Sequence, residues 1–217
     1  MKILYNNYDL YEALINTSKL GLVPTMGSLH QGHISLINRS KKECKKTIIS
    51  IFVNPTQFNN KKEFKKYPRN NIKDLSILKR LEVDFVYLPK SKHIYNSKKS
   101  SNITLSIKDK IMCAKYRKGH FEGVLDVMGR LTNIIKPKKI YMGEKDFQQL
   151  YLVKKHIEKK HKCKIITCKT IRDKNKLALS SRNLLLRKKD KIKAGNLTQN
   201  LINFKKNFKN NMNMKNL

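Results

Sequence analysis

Gly21-Leu22-Val23-Pro24-Thr25-Met26-Gly27-Ser28-Leu29-His30-Gln31-Gly32-His33 passes from a short apolar run, through two glycines, into a helical pattern. Residues 21–24 read as a strand and 33–45 as the helix that follows. Gly27 and Gly32 let the backbone come close to a ligand, because no Cβ stands in the way. His30 and His33 lie three residues apart and so share one face at the helix start. A helix start also carries N–H groups without intrahelical partners and a partial positive charge. Imidazoles and backbone donors together suit an anionic phosphate whose charge grows in a transition state. The same residues could be two cap histidines in a tight turn. The strand–loop–helix setting favours the phosphate reading.

Outward from this stretch, the chain alternates apolar runs with helical patterns, as parallel β-α-β units do. Helices are expected over 8–18, 70–81, 124–135 and 147–159, with Pro137 blocking the third from continuing. The first should place Leu10, Leu14 and Ile15 on one face. Strands are expected over 47–54, whose β-branched run looks buried on both faces, and over 84–88, 139–142 and 164–168. Residues 90–120 are polar and read as irregular surface chain. Beyond about residue 187 the text turns Lys- and Asn-rich. There Leu197, Leu201, Ile202, Phe204 and Phe208 form a narrow stripe, enough to dock a helix but not to build a core. Four or five parallel strands with intervening helices make an open, doubly wound α/β sheet. Ligands bind such sheets beyond the carboxyl ends of the strands.

Three further stretches stand at or beyond such ends. Asn54-Pro55-Thr56-Gln57-Phe58 offers an amide pair that could orient a small polar ligand, or is simply a polar loop. In Gly143-Glu144-Lys145-Asp146-Phe147-Gln148-Gln149, Gly143 allows close approach and Lys145 supplies a point charge for phosphate. Asp146 can cap the helix or help hold a metal, and Gln149 faces the same side one turn on. A capped helix with a solvated Glu-Lys pair would look the same. Leu177-Ala178-Leu179-Ser180-Ser181-Arg182-Asn183 reads equally as a phosphate-gripping loop and as a turn.

The 217 residues suffice for one domain and part of a second. Lys and Arg number 49 against 15 Asp and Glu, a formal charge of +34. No stretch nears the ~18 apolar residues of a membrane span, and the start lacks a secretory-leader pattern. A cytoplasmic protein without a membrane partner is the expectation. A basic balance is the footprint of a nucleic-acid binder. Here, however, the lysines are spread among Asn and Ile, residues that AT-rich coding favours, and aromatics do not interleave with them. No nucleic-acid partner is therefore expected. Cys44, Cys113, Cys163 and Cys168 lack C-x-x-C or zinc spacing and read as reduced apolar fillers.

Taken together, residues 23–33, Ser50-Ile51-Phe52-Val53-Asn54-Pro55-Thr56-Gln57-Phe58, Tyr67-Pro68-Arg69, Gly119-His120-Phe121, 143–149 and Leu179-Ser180-Ser181-Arg182-Asn183 resemble, in order, the motifs of the pantothenate synthetase (pantoate–β-alanine ligase) family. The resemblance runs to about residue 186. It implies a Rossmann-like nucleotidyltransferase of the H-I-G-H superfamily, cytoplasmic and homodimeric. Such an enzyme joins pantoate to β-alanine with ATP and Mg²⁺, through a pantoyl-adenylate, releasing AMP and diphosphate. Carried over by position, it implies His33, His30, Lys145 and Arg182 as catalytic residues, with Met26, Gly27, Ser28, Leu29, Gln31 and Gly32 wrapping ATP. Gly143, Glu144, Lys145 and Asp146 would cradle the nucleotide, Asp146 toward the ribose, and Ile171 would pack on adenine. Leu179, Ser180, Ser181 and Arg182 would close on the triphosphate. Gln57 and Gln149 would hold pantoate, with Gln57 also facing β-alanine and Asn54 in the same pocket. No protein ligand for the metal is implied.

Three departures accompany the resemblance. Glu122 stands where the family usually has Arg, which should loosen the loop after Gly119. Lys176 stands where Gly is common, which should alter that turn. The family's α+β C-terminal domain is represented only by its first helix, in residues 188–217. The expected organisation is a Rossmann-like nucleotide- and pantoate-binding domain over 1–172 and a truncated C-terminal segment over 173–217, leaving the site less shielded. The competing readings are another H-x-G-H adenylyltransferase acting on phosphopantetheine or a nicotinate nucleotide, a basic nucleic-acid binder, and an inactive remnant of the synthetase.

Overall fold

The computed structural model describes residues 1–95 and 103–214, with side chains up to Phe208. Its strands are β1 (Lys2–Leu4), β2 (Leu20–Thr25), β3 (Lys46–Ile51), β4 (Phe85–Tyr87), β5 (Lys139–Gly143) and β6 (Lys164–Cys168). They form one sheet in the order β1-β4-β3-β2-β5-β6, and every pairing is parallel. The helices are α1 (Asn7–Leu14), α2 (Gln31–Glu43), α3 (Lys61–Lys66), α4 (Asn71–Arg80), α5 (Ser91–Ile94), α6 (Cys113–Tyr116), α7 (His120–Ile135), α8 (Phe147–Lys160) and α9 (Lys188–Met214).

Alternation along the strands builds two cores. Leu22 is opposite Ile48 and Ile140, and Ile140 is opposite Ile165. This row packs beneath α1, α7 and α8, on Leu10, Val124, Leu131, Leu150 and Ile157. The next row, Val23, Ile49 and Val86 with Tyr141 and Ile166, faces α2 and α4 through Leu36, Ile37 and Leu78. Residues buried to this degree are worth roughly 1.5–3 kcal/mol each. Helices on both faces of a parallel sheet are the doubly wound α/β arrangement that the strand pattern implied.

Several local expectations shift. β1 is an additional edge strand, too short to announce itself by alternation. The expected 8–18 helix ends at Leu14, and Ile15 is exposed instead of sharing the Leu10 face. β3 stops at Ile51, and Asn54 caps a short 3-10 turn by accepting from Thr56 N. Residues 90–120 hold α5 and α6 among irregular chain, and the missed α3 is capped by Asn60. α7 begins at His120, not Val124, because Gly119 takes a left-handed conformation and turns the chain into it. Glu122 lies in that first turn, where a carboxylate complements the helix dipole.

Lys176 takes φ +70, the conformation a glycine would adopt freely. The turn is therefore kept, with Asp173 and Leu177 still bonded across it. All four cysteines are free thiols, but Cys113 is exposed and fills no gap. The stripe on α9 is not docked. Leu197, Leu201, Phe204 and Phe208 are exposed, and the helix meets the rest of the chain near Asn175, whose Nδ2 donates to Lys191 O at 2.9 Å. Among the described residues, no helix is long and apolar enough to cross a membrane.

Candidate active site

From β2 the chain builds one side of the sheet through β3 and β4, then returns to the other side for β5 and β6. The loops leaving β2 and β5 therefore diverge and open a crevice at the carboxyl ends of two neighbouring strands. A cavity of about 260 Å³ lies there. Pro24 and Thr25 at the end of β2 and Tyr141, Met142 and Gly143 at the end of β5 form its floor.

The loop after β2 is held by a dense set of backbone bonds. Gly27 N donates to Thr25 Oγ1, while Ser28 N and Leu29 N donate to the Asp74 carboxylate at 2.7 and 2.8 Å. His30 N donates to His33 Nδ1, and Gly32 N donates to His30 Nδ1. The two imidazoles thus cap α2 themselves, with ring centroids 4.1 Å apart. This corrects the expectation of unpaired N–H groups at the helix start, because most of the loop's amides already have partners. Each Nδ1 accepts a hydrogen bond, so each neutral ring carries its proton on Nε2. Burial, reinforced by the Lys145 charge, holds His30 down to about 4. Burial, the neighbouring His30 and Lys145 hold His33 down to about 3. At neutral pH both are neutral N–H donors.

Across the cavity, Lys145 Nζ lies 3.4 Å from Leu179 O and 3.7 Å from Asp146 Oδ2. Arg182 donates to Glu63 Oε1 at 2.6 and 3.2 Å, and its guanidinium lies over the Tyr67 ring. Ser181, nearly fully buried, donates to Ser28 O at 2.9 Å. The loop around residue 180 is thereby tied to the loop around residue 28.

The third wall carries the amides. A Cβ on Gly123 would sit 2.5 Å from Thr56 O, so only glycine lets α7 come this close to residues 54–57. Asn54, 1% exposed, donates to Gln57 Oε1 and Gly123 O. Its own oxygen accepts from Tyr95 OH and from Thr56. Its amide is spent on protein, which makes it the support of Gln57. Among the described residues, Gln57 Nε2 has as its partner the Met26 thioether, a weak acceptor, at 3.1 Å.

Of the expected site residues, Met26, His30, Gly32, His33, Asn54, Gln57, Gly143, Lys145, Asp146, Gln149, Ile171 and Leu179 through Arg182 line this one cavity. Gly27, Ser28, Leu29, Gln31 and Glu144 do not; the first three turn toward Asp74 and Ser181, and Glu144 accepts from Thr170 N. Sequence reading assigned no role to Arg117, His120 or Lys169, which also line it. For His120 the Gly119-His120-Phe121 motif was a signal; its Nδ1 pairs with Gln57 O at 2.7 Å. Asp74 was missed altogether.

The family profile described as pantoate-beta-alanine ligase matches residues 4–217. The chain belongs to the pantoate–β-alanine ligase family. A pantothenate synthetase of Clostridium botulinum is 43% identical over 183 residues, covering 84% of this chain and 65% of the relative. The chain thus spans 65% of the length of that relative. One from Campylobacter hominis is 42% identical over 208 residues, covering 94% of this chain and 76% of the relative. The crystal structure of a pantoate–β-alanine ligase from Francisella tularensis, complexed with β,γ ATP and β-alanine, superposes with a TM-score of 0.88 at 40% identity. It covers 92% of this chain and 78% of the other. A pantothenate synthetase structure from Thermus thermophilus gives 0.86 at 32% identity, covering 90% and 71%.

Proposed function

We propose that this chain condenses pantoate with β-alanine at the expense of ATP, through a pantoyl-adenylate, releasing AMP and diphosphate. The observation that carries the reading is one cavity lined by two unlike sets of groups, the imidazoles and cations of His30, His33, Lys145 and Arg182 and the amides of Gln57 and Gln149. In the first step the pantoate carboxylate attacks the α-phosphorus and diphosphate leaves. No proton is transferred, so the protein needs positioning and charge neutralisation. Lys145 and Arg182 bring fixed charge, and the neutral imidazoles donate from Nε2 without an acid having to titrate. In the second step the uncharged β-alanine amine attacks the acyl carbon, AMP leaves, and the proton the nitrogen gives up passes to the departing phosphate or to water. The amide of Gln57, resting on a weak acceptor, exchanges the Met26 sulfur for a substrate oxygen.

A magnesium ion carried in with the triphosphate would offset phosphate charge. The described residues contain no cluster of three or more protein ligands, which suits an ion bound largely through substrate oxygens. Asp146 is the carboxylate that lines the cavity. Ile171 would pack on adenine, and the nucleotide- and pantoate-binding unit would comprise residues 1–172. The protein would work in the cytoplasm as a homodimer. Phe147, Tyr151, Ile111 and Met112 are exposed apolar side chains that such pairing would cover.

The deciding experiment measures AMP release from ATP with pantoate and β-alanine omitted in turn. AMP formation that requires pantoate supports the reading, and release indifferent to pantoate rejects it. In the same assay Gln57→Ala and Gln149→Ala should each weaken use of pantoate by roughly 10-fold or more, with ATP little affected, because a buried partner left unpaired costs about 1–3 kcal/mol. A larger change for ATP would refute the placement of pantoate.

A further inference from the structure

Asp74 belongs to α4, a helix none of whose residues lines the cavity. Its side chain is 1% exposed, and both oxygens are aimed at one turn of backbone. Oδ2 accepts from Ser28 N at 2.7 Å and Oδ1 from Leu29 N at 2.8 Å. That turn is unusual in itself, for Gly27 has φ +77 and Ser28 φ +52, two consecutive left-handed residues of which the second carries a side chain. L-residues avoid this region, so the conformation persists only where surrounding groups hold it. The opposite side of the turn is held as well. Ser181 Oγ lies 2.9 Å from Ser28 O and 3.4 Å from Gly27 O. A Cβ on Gly27 would come within 3.0 Å of Asp74 Oδ2, so the carboxylate fits a turn without a side chain there.

We propose that Asp74 is a positioning residue for the reaction: its carboxylate fixes the left-handed turn at residues 27 and 28, which aims His30 and His33 into the cavity and seats Ser181 on the other side. The inference rests on the adenylate-forming reading of the site. His30 follows Leu29 directly, so the direction in which the imidazole pair leaves the turn depends on the two amides that Asp74 holds. Ser181 precedes Arg182, so the same turn sets where the guanidinium stands. One carboxylate outside the cavity thereby organises donors from two loops 153 residues apart in the chain, which meet at Ser28 and Ser181.

The test is Asp74→Asn, which keeps the shape but turns an N–H donor toward one of the two amides. Single-turnover formation of pantoyl-adenylate should slow by about tenfold or more, the size expected when one charge-assisted hydrogen bond is lost. The pantoate KM should stay within about twofold, and the thermal midpoint within a few degrees. An unchanged rate overturns the proposal, as does a pantoate KM that rises in step with the loss of rate. Ser181→Ala loosens the same turn from its other side, so the two substitutions together should cost less than the product of their separate effects. A fully multiplicative double variant rejects the shared turn. Amide exchange supplies a readout without catalysis. Ser28 and Leu29 N–H should exchange slowly in the unmodified protein and quickly in Asp74→Asn. If the unmodified protein makes no AMP from ATP and pantoate, the functional reading fails, while fast exchange at both amides would sink the clamp itself.

Discussion

Helices α7 and α9 carry apolar residues at helical spacing, yet only one of them is part of the core. Ten of the sixteen residues of α7 are buried. Its stripe is wide, Gly123 lets it approach residues 54–57, and its first residue, His120, reaches Gln57 O. α9 is longer, at 27 residues, but Leu197, Leu201, Phe204 and Phe208 form one narrow line, and Leu201 and Phe204 are 61% and 68% exposed. The difference is one of width. A helix joins a core when its apolar face spans enough of its circumference to leave no polar group buried, and a line of single residues does not meet that condition. α7 therefore shapes the site, whereas α9, over its described side chains, buries little beyond Gly195 against Asn175.

The comparison can be broken most directly by truncating one leucine in each helix. Leu131→Ala in α7 should cost about 3 kcal/mol, because it leaves a cavity in a packed interior, and lower the thermal midpoint by about 10 °C. Leu201→Ala in α9 should stay within about 0.5 kcal/mol. Equal losses in denaturant titrations of the two variants would show that α9 is packed after all. Chemistry should follow the same division. His33→Ala should slow adenylate formation by about 10²-fold, the usual cost of one preorganised donor to developing charge, with ATP binding less affected. A variant with the unmodified single-turnover rate would remove His33 from that role.

A pH series sharpens the comparison further. His30 and His33 have their pKa values depressed by burial, to about 4 and about 3. The unfolded chain therefore binds more protons than the folded one between roughly pH 6.5 and those values, and stability must fall as pH falls through that window. The His30→Gln, His33→Gln double variant should flatten the slope, and an unchanged slope would place the sensitivity elsewhere. The smallest effect concerns Lys176, whose φ of +70 a glycine would adopt without strain. Lys176→Gly should raise stability by at most about 1 kcal/mol, the relief of strain being partly offset by the unfolded-state entropy of glycine. A lower midpoint would show that the lysine side chain contributes more than its backbone costs.

Periodicity made the sheet and its main helices legible. The residues 47–54 are apolar and β-branched enough to declare a buried strand, and the helix over 70–81 carries a clear cap at Asn70 and clear spacing. His30, His33, Lys145, Gln57 and Gln149 line one cavity because the motif that carries each follows the carboxyl end of a strand. Asp74 stayed hidden, since a carboxylate in the first turn of a helix reads as an ordinary response to the dipole. Nothing local announces that its partners lie 45 and 46 residues earlier. The self-capping of α2 was hidden likewise, because sequence does not tell whether a cap histidine turns its ring toward its own helix or toward a ligand. The narrow stripe of α9 was visible, but whether anything covers it is a tertiary matter.

The placing of β2 beside β5 bears on how the molecule comes to exist. Gly21 is opposite Lys139 and Leu22 opposite Ile140, so the floor of the cavity joins an early strand to a late one. β2, β3 and β4 can pair as soon as they are made, but the crevice has only one side until β5 arrives. Closing so long a stretch of chain carries an entropic cost that contacts formed afterwards must offset, which slows folding. A nascent chain that has completed β4 therefore has half a sheet and no binding site, and its β2 edge stays open to other strands until β5 closes it.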